Sequence, residues 1–395
     1  MCGIFGINKK ETQEFINKII SDNNHRGPDQ NDYYQNESLT LIHNRLSILD
    51  IEHGCQPMYF KDLVIIYNGE IFNSVSLRKS LEDKGYYFET NNSDTEVLLK
   101  LYHFKGKDML LDLNGMFAFV IYDKKKNILF GAVDRFSIKP LYYTINNNIF
   151  SFSSEIKPLL SINTITKKLS KNSVFDYFQL QYVPFENTIF EEIKKIKNSN
   201  FFVYDLNLKS LSINEYKKKD QIYEFKNYNE IIEVGKNCLN NSIKKWSQSD
   251  VPISCSLSGG LDSSLISAIF AKNSSKKIET ITVGFESEDK NHDERYFASK
   301  VSKFLNSDHH EVVVNPKKIL SDMDMIFENL CEPYGGSLAS WYVYNNLNQN
   351  KVIFTGTGAD EIFGNYGKWK NFIISDFFIK NFYNNFFNQN FLDLK

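Results

Sequence analysis

Long apolar runs are missing from this chain of 395 residues: no segment approaches the ~18 uninterrupted apolar residues of a membrane span. The opening Met1-Cys2-Gly3-Ile4 also lacks the basic region and extended apolar stretch of a secretory signal. Nor is there a cysteine framework. The five cysteines (Cys2, Cys55, Cys238, Cys255 and Cys331) are odd in number, scattered and without CxxC spacing. That fits a reduced cytoplasm better than disulfides or a zinc site, so a cytoplasmic protein without membrane contact is expected. Charge of one sign is equally scarce. The formal net charge of −2 argues against a role that neutralises a phosphate backbone, and no nucleic-acid partner is expected. The basic runs Lys124-Lys125-Lys126 and Lys217-Lys218-Lys219 read as solvated turns. No internal repeat is visible.

What is present, 42% hydrophobic residues, suffices for two or three domains with real cores. The first two hundred residues are strand-rich. Residues 63–67, 116–122 and 128–133 are short apolar runs bounded by turn residues, the pattern of strands buried on both faces. Residues 75–84 and 95–104 have helical spacing, and Asp94 stands at an N-cap position. Two packed sheets with helices outside them suit this alternation. Residues 206–229 turn polar and rich in lysine and asparagine, which reads as a linker. Beyond it, 252–257, 278–285, 311–314 and 351–355 read as strands, 263–271 and 292–305 as helices. That order predicts a parallel sheet with ligand sites at the strands' carboxyl ends. His309-His310 reads as a loop or strand start rather than a metal pair, since adjacent strand residues face opposite ways.

A cysteine between the initiator methionine and a glycine is open to methionine removal. The freed α-amine, whose unperturbed pKa is about 8, can then take the thiol's proton, so nucleophile and base share one residue. Alone, Met-Cys-Gly reads as an ordinary amino terminus. Here Met1-Cys2-Gly3-Ile4-Phe5-Gly6 is followed by His25-Arg26-Gly27-Pro28-Asp29, Arg45-Leu46-Ser47-Ile48, Tyr67-Asn68-Gly69-Glu70-Ile71-Phe72-Asn73 and Ser93-Asp94-Thr95-Glu96. Taken in order, these segments resemble class II glutamine amidotransferases, a branch of the N-terminal-nucleophile hydrolases. Gly115-Met116-Phe117-Ala118-Phe119, Asp134-Arg135-Phe136-Ser137-Ile138-Lys139-Pro140-Leu141-Tyr142-Tyr143 and Ser153-Ser154-Glu155-Ile156-Lys157 resemble the asparagine synthetase branch.

The resemblance implies an αββα sandwich over 2–205 with Cys2 as nucleophile. Hydrolysis of the glutamine amide passes through an oxyanion that needs donors in place beforehand. By resemblance these are the Asn68 side chain and the Gly69 N–H. Arg45 can grip the substrate carboxylate bidentately, and Asp94 can pair with its ammonium. Leu46, Ser47, Ile48 and Glu70 would complete the glutamine pocket. Read without the family, Arg45 and Asp94 could be a surface ion pair and Asn68-Gly69 a hairpin turn.

Ser258-Gly259-Gly260-Leu261-Asp262-Ser263-Ser264 lies between a predicted strand and a predicted helix. Its glycines let backbone N–H groups and hydroxyls surround a phosphate at a helix N-terminus. The segment resembles the pyrophosphate loop of ATP pyrophosphatases, implying a second, parallel-sheet domain over 230–395. ATP would contact Ser256, Leu257, Ser258, Gly259, Gly260, Asp262 and Ser263, with Val283, Thr355 and Gly356 nearby. Mg²⁺ would be held by Asp262 and by Asp360 of Thr355-Gly356-Thr357-Gly358-Ala359-Asp360-Glu361. Cys331-Glu332-Pro333-Tyr334 resembles a further family segment. Asp360-Glu361 also reads as an acid pair in a helix's first turn.

Together the motifs imply glutamine-dependent, ATP-consuming amide synthesis, with aspartate as the default acceptor. Two departures qualify that expectation. The acidic residue usual at one family position is Thr357, whose hydroxyl cannot act as a base at neutral pH. The sequence also runs only some thirty residues past Gly364, short of the helices that carry an adenylate-stabilising lysine in the family. A glutaminase subunit, a synthetase for another carboxylate, and a homodimer or partner chain completing the second domain are the alternatives left open.

Overall fold

The computed structural model describes residues 1–217, 224–286, 293–330, 332–334, 338–347 and 350–363. The chain divides into two compact units, Met1–Ile253 with Val312–Val352, and Ser254–Glu311 with Ile353–Lys395. These units are discontinuous in sequence.

The first unit opens with β1 (Gly3–Ile7), α1 (Gln13–Asp22), β2 (Gln30–Asn36), β3 (Leu39–Arg45), β4 (Met58–Phe60) and β5 (Leu63–Ile71). It continues with α2 (Ser74–Glu82), α3 (Asp94–Lys105), β6 (Gly115–Asp123), β7 (Ile128–Val133), β8 (Tyr142–Asn146) and β9 (Ile149–Ser153). Then come α4 (Ile156–Leu160), α5 (Lys171–Leu180), β10 (Lys194–Lys195), β11 (Asn200–Asp205), β12 (Ser210–Glu215) and α6 (Tyr228–Trp246).

Two six-stranded sheets result, β10-β8-β9-β1-β3-β2 and β12-β11-β7-β6-β5-β4. The period-two alternation of strand side chains sorts the core. Ile4, Leu41, Val64, Val120 and Phe152 meet between the sheets. Phe5 and Ile42 face outward to Ile16, Ile19, Ile156 and Leu159 of α1 and α4. Ile65, Phe119 and Ile121 face outward to Val97, Leu98 and Leu101 of α3. The layers are therefore helix, sheet, sheet, helix: the αββα sandwich that the resemblance implied. Each fully buried apolar side chain stabilises it by roughly 1.5–3 kcal/mol.

Two expectations need correction. The stretch expected as linker contains β12, which pairs antiparallel with β11 from Asn200↔Glu215 to Asp205↔Ser210. An edge strand with one face in water can be almost wholly polar, so Leu211 alone makes its apolar contact with the inter-sheet core. Asp94 is not the N-cap of α3: Ser93 takes that place, without a side-chain capping bond. The Asp94 carboxylate turns inward instead, to groups named below.

The remaining elements are β13 (Ile253–Ser256), α7 (Leu261–Asn273), β14 (Glu279–Phe285), α8 (Arg295–Leu305), β15 (Asp308–Val314), α9 (Pro316–Asn329), α10 (Leu338–Asn345), β16 (Val352–Phe354) and α11 (Ala359–Phe363). A four-stranded sheet, β15-β14-β13-β16, carries them. β13 and β14 run parallel, joined by α7. His309 and His310 lie within β15. Residues 287–292, Cys331 and the tail from Gly364 lie outside the described residues.

Candidate active site

β1 is buried along its whole length and pairs with β3 through Gly3↔Asn44 and Phe5↔Ile42. It therefore delivers Cys2, the residue before it, to the end of β3. There Leu46 N–H donates to Cys2 Sγ at 3.4 Å, and the thiol faces Leu46 O at 3.8 Å. Glycine is required nearby: a Cβ on Gly27 would lie 2.3 Å from the Asn44 carbonyl.

β5 supplies the opposing groups. Asn68 and Gly69 sit inside this strand, paired with Ala118 and Phe117, so the hairpin-turn alternative does not hold. A Cβ on Gly69 would lie 2.2 Å from Met116 O, so no other residue fits there. The Asn68 side chain is 1% exposed, and its Nδ2 donor has no partner among the described residues. Glu70 Oε1 is likewise buried and unpartnered. Burial, with the Asp94 charge beside it, pushes the Glu70 carboxyl up to about 8, against the pull of Lys139.

Asp94 is 6% exposed and accepts hydrogen bonds at Oδ2 from Tyr67 OH and Ile71 N–H, both at 2.9 Å. Burial raises its carboxyl to about 6, opposed by those two donors. A surface ion pair is thus excluded for Asp94, and for Arg45, which is 4% exposed. Arg45 Nη1 donates to Ile51 O at 2.9 Å and Gln30 Oε1 at 3.5 Å; Nη2 donates to Asp50 O at 2.6 Å and Leu49 O at 3.2 Å. A guanidinium has five N–H donors, so the terminal nitrogens are committed to the 49–51 loop and only Nε is left. This Arg45 is a loop clamp, and a bidentate grip requires those carbonyls to be released.

A cavity of about 70 Å³ is lined by Cys2, Arg45, Leu46, Ile48 and Asp94 together with Asn68, Gly69 and Glu70. Of the expected pocket residues only Ser47 stands outside this lining; its N–H donates to Asp29 Oδ2 at 2.7 Å.

Sequence reasoning assigned no task to four residues here. Arg26 Nε donates to Cys2 O at 3.0 Å and its Nη1 to Glu155 Oε1 at 2.7 Å, with His25 Nε2 3.0 Å from the same oxygen. Burial alone would raise Glu155, yet His25 and Arg26 hold it down at about 2. Lys139 also lines the cavity. The signal was in view, since all four lie within quoted motifs, but nothing in one sequence says that residues 26 and 155 meet.

In the second unit the Ser258–Ser263 loop is closed by hydroxyls. Ser258 Oγ and Ser263 Oγ lie 2.9 Å apart, Ser258 N–H donates to Ser263 Oγ at 3.2 Å, and Gly260 N–H donates to Ser258 Oγ at 3.3 Å. Gly259 has φ +83°, and a Cβ there would lie 2.5 Å from Ala298 N, so the tight turn needs glycine. Leu257 N–H donates to Ile281 O of the adjacent β14 at 2.9 Å, continuing the pairing of β13, and the Leu257 carbonyl accepts from the Thr282 hydroxyl. Val283 is in β14. Gly356 packs against Asp262 and Ser263, where a Cβ would be 2.9 Å from Ser263 N, so the two glycine-bearing loops meet. Thr355 follows β16. Asp262 and Asp360 occupy the first turns of α7 and α11.

A family model described as a glutamine amidotransferase domain matches residues 1–217, and one described as asparagine synthase matches 236–389. The chain belongs to the glutamine-hydrolysing asparagine synthetase family. Asparagine synthetase [glutamine-hydrolyzing] 1 of Bacillus subtilis is 33% identical, covering 94% of this chain and 60% of its own length. Asparagine synthetase B of Escherichia coli is 32% identical over 93% of this chain and 65% of that protein. A Methanocaldococcus jannaschii protein assigned to the same enzyme is 33% identical, with coverages of 93% and 76%. This member of the family thus spans three-fifths to three-quarters of the length of these relatives.

Proposed function

We propose that the chain hydrolyses glutamine at Cys2 and uses the ammonia in ATP-dependent amide synthesis, with aspartate as the default acceptor. The observation that carries the reading is the convergence of the Cys2 sulfur, the unpartnered Asn68 Nδ2 and the Gly69 backbone on one buried cavity. Burial lowers the terminal amine carried by Met1 to about 5. Methionine removal leaves an α-amine on Cys2, whose unperturbed pKa is about 8. The thiol proton passes to that amine and sulfur attacks the amide carbon. Asn68 and Gly69 donate to the oxyanion, and the C–N bond breaks as nitrogen takes the proton and leaves as ammonia. Water then cleaves the thioester to glutamate. Asp94 holds the substrate ammonium; Arg45 takes the carboxylate once the 49–51 carbonyls let go.

In the second unit the acceptor carboxylate attacks the α-phosphate of ATP, pyrophosphate leaves, and ammonia displaces AMP from the acyl-adenylate. Loop residues 256–260 and 263 with Val283, Thr355 and Gly356 hold the nucleotide. Among the described residues no group of three or more His, Cys, Asp or Glu gathers as a metal cluster. Mg²⁺ at such sites takes one or two carboxylates plus phosphate oxygens, so Asp262 and Asp360 fit it. When bound, it neutralises phosphate charge. The working division belongs to this reading: a glutaminase domain from residue 2, extended beyond 205 by β12, and a synthetase-like domain from 230. So does a cytoplasmic location. Among the described residues no helix is long and apolar enough to cross a membrane.

Thr357 favours a second reading, in which ammonia serves another carboxylate or a partner chain. Incubation with amide-¹⁵N glutamine, ATP-Mg²⁺ and aspartate, followed by mass spectrometry, separates the two. Labelled asparagine with matching AMP supports the first. Glutamate without AMP or asparagine sinks it and leaves a glutaminase.

A further inference from the structure

The cavity around Cys2 contains a cation that the mechanism above does not use. Asp134, at the end of β7, accepts four backbone N–H groups: Phe136 at 2.9 Å and Ile138 at 3.0 Å on Oδ1, Phe117 at 3.1 Å and Lys139 at 3.0 Å on Oδ2. This carboxylate shapes the 135–139 loop so that Lys139 enters the cavity wall while Phe136, 73% exposed, points to solvent. Lys139 is only 6% exposed. Among the described residues its ammonium makes no hydrogen bond and no ion pair within bonding distance.

A buried lysine without a partner is unfavourable unless something else uses its charge. Burial and the Arg26 charge bring Lys139 down to about 8, while Cys2, Asp134 and Glu70 hold it up, so it is a cation at neutral pH. The charged groups around the cavity are the terminal amine, Arg26, Arg45 and Lys139, and against them Glu70 and Asp94, with Asp29 near the terminal amine. Arg45 is committed to the carbonyls of residues 49–51. Arg26 is already committed to Glu155 and to Cys2 O. Asp94 is satisfied by Tyr67 and Ile71. Glu70 is held largely neutral at pH 7 by its burial. The unspent charge in the cavity is that of Lys139.

We propose that Lys139 is a positioning residue for nucleophile charge: its ammonium compensates the Cys2 thiolate formed when the sulfur gives its proton to the α-amine. This rests on Cys2 being the nucleophile. No atom is transferred to or from Lys139; the thiol proton moves to the amine, and the lysine remains protonated throughout.

The test uses the full chain without glutamine, so that binding of substrate carboxylate plays no part. The rate of Cys2 alkylation by iodoacetamide is followed against pH by peptide mass spectrometry, because Cys55 and Cys238 are exposed and react too. Lys139→Met and Lys139→Gln, each verified by circular dichroism and thermal melting, are expected to move the alkylation midpoint up by roughly 1–2 pH units. Lys139→Arg, which keeps the charge, stays near the parent. A midpoint unchanged in whichever neutral variant folds overturns the proposal. So does a larger shift in Lys139→Arg than in the neutral variants, which would mark a role of shape alone. Retained glutaminase activity in Cys2→Ala overturns the nucleophile reading and this proposal with it, whereas unshifted alkylation overturns this proposal alone.

Discussion

The two halves of the molecule solve different problems with different degrees of enclosure. Around Cys2 the groups come from β1, β3, β5 and the start of α3, and Asn68, Arg45 and Asp94 are 1%, 4% and 6% exposed. The glycine loop of the second unit comes from one strand-helix junction, and its Leu261 is 79% exposed. Acyl chemistry at sulfur gains from donors fixed in a dry, low-dielectric cavity before charge develops. A triphosphate is large and highly charged, and backbone N–H groups of an open turn suffice to seat it. The first kind of site is inseparable from its fold; the second is local.

That contrast can be broken most sharply by exchanging single groups. Cys2→Ala is expected to lower glutamate release from glutamine by on the order of 10³-fold or more, while pyrophosphate release with ammonium salts as nitrogen source is kept. Asp262→Ala should do the reverse. Loss of both activities in either variant would contradict the separation.

Asn68→Ala comes next. Removing one oxyanion donor lowers kcat for glutamine by roughly 10²–10³-fold with KM little changed. A large KM effect with kcat preserved would instead place Asn68 in ground-state binding.

Asp94 offers a pH test of smaller size. Its carboxyl is raised to about 6, so the anion proposed to pair with the substrate ammonium is present above pH 6 and lost below it. The KM for glutamine should therefore rise as pH falls through 6. Asp94→Asn should raise KM by roughly 10–100-fold at neutral pH, the size of one charged hydrogen bond, and flatten that acid limb. A KM independent of pH between 5 and 7 in the parent would sink the assignment.

The legible parts of the sequence were those governed by local period or by contiguous motif. The strands read at 63–67, 116–122 and 128–133 announced themselves by apolar runs, and the βα order of the second half by its turns. β12 did not, because an edge strand with one apolar contact looks like a polar linker. Asp94 was legible as a helix-start acid, yet its partners Ile71 and Tyr67 lie 23 and 27 residues upstream in β5, so the inward turn of the carboxylate was hidden. Arg45 was found by motif, but its loop carbonyls carry no side-chain signal. Lys139 stood in plain sight, and only the fold shows that its loop is bent around Asp134 into the cavity.

The smallest expected effect sharpens the comparison in stability rather than rate. Glu155 is buried and linked to Cys2 O through Arg26, and its pairing with His25 and Arg26 lowers its carboxyl from 4.5 to about 2. A depressed carboxyl contributes stability that is present above its unfolded value and lost as pH falls through the folded one, so this share disappears between pH 4.5 and 2. Glu155→Gln keeps the shape and one acceptor but leaves Arg26 without its charge partner, a change of roughly 1–3 kcal/mol at neutral pH. Asp262→Asn, in the first turn of α7, should stay within about 0.5 kcal/mol of the parent. Urea melts of the two variants measure both. Equal destabilisation would mean that the glycine loop is as bound to its fold as the cysteine site, and that enclosure does not distinguish them.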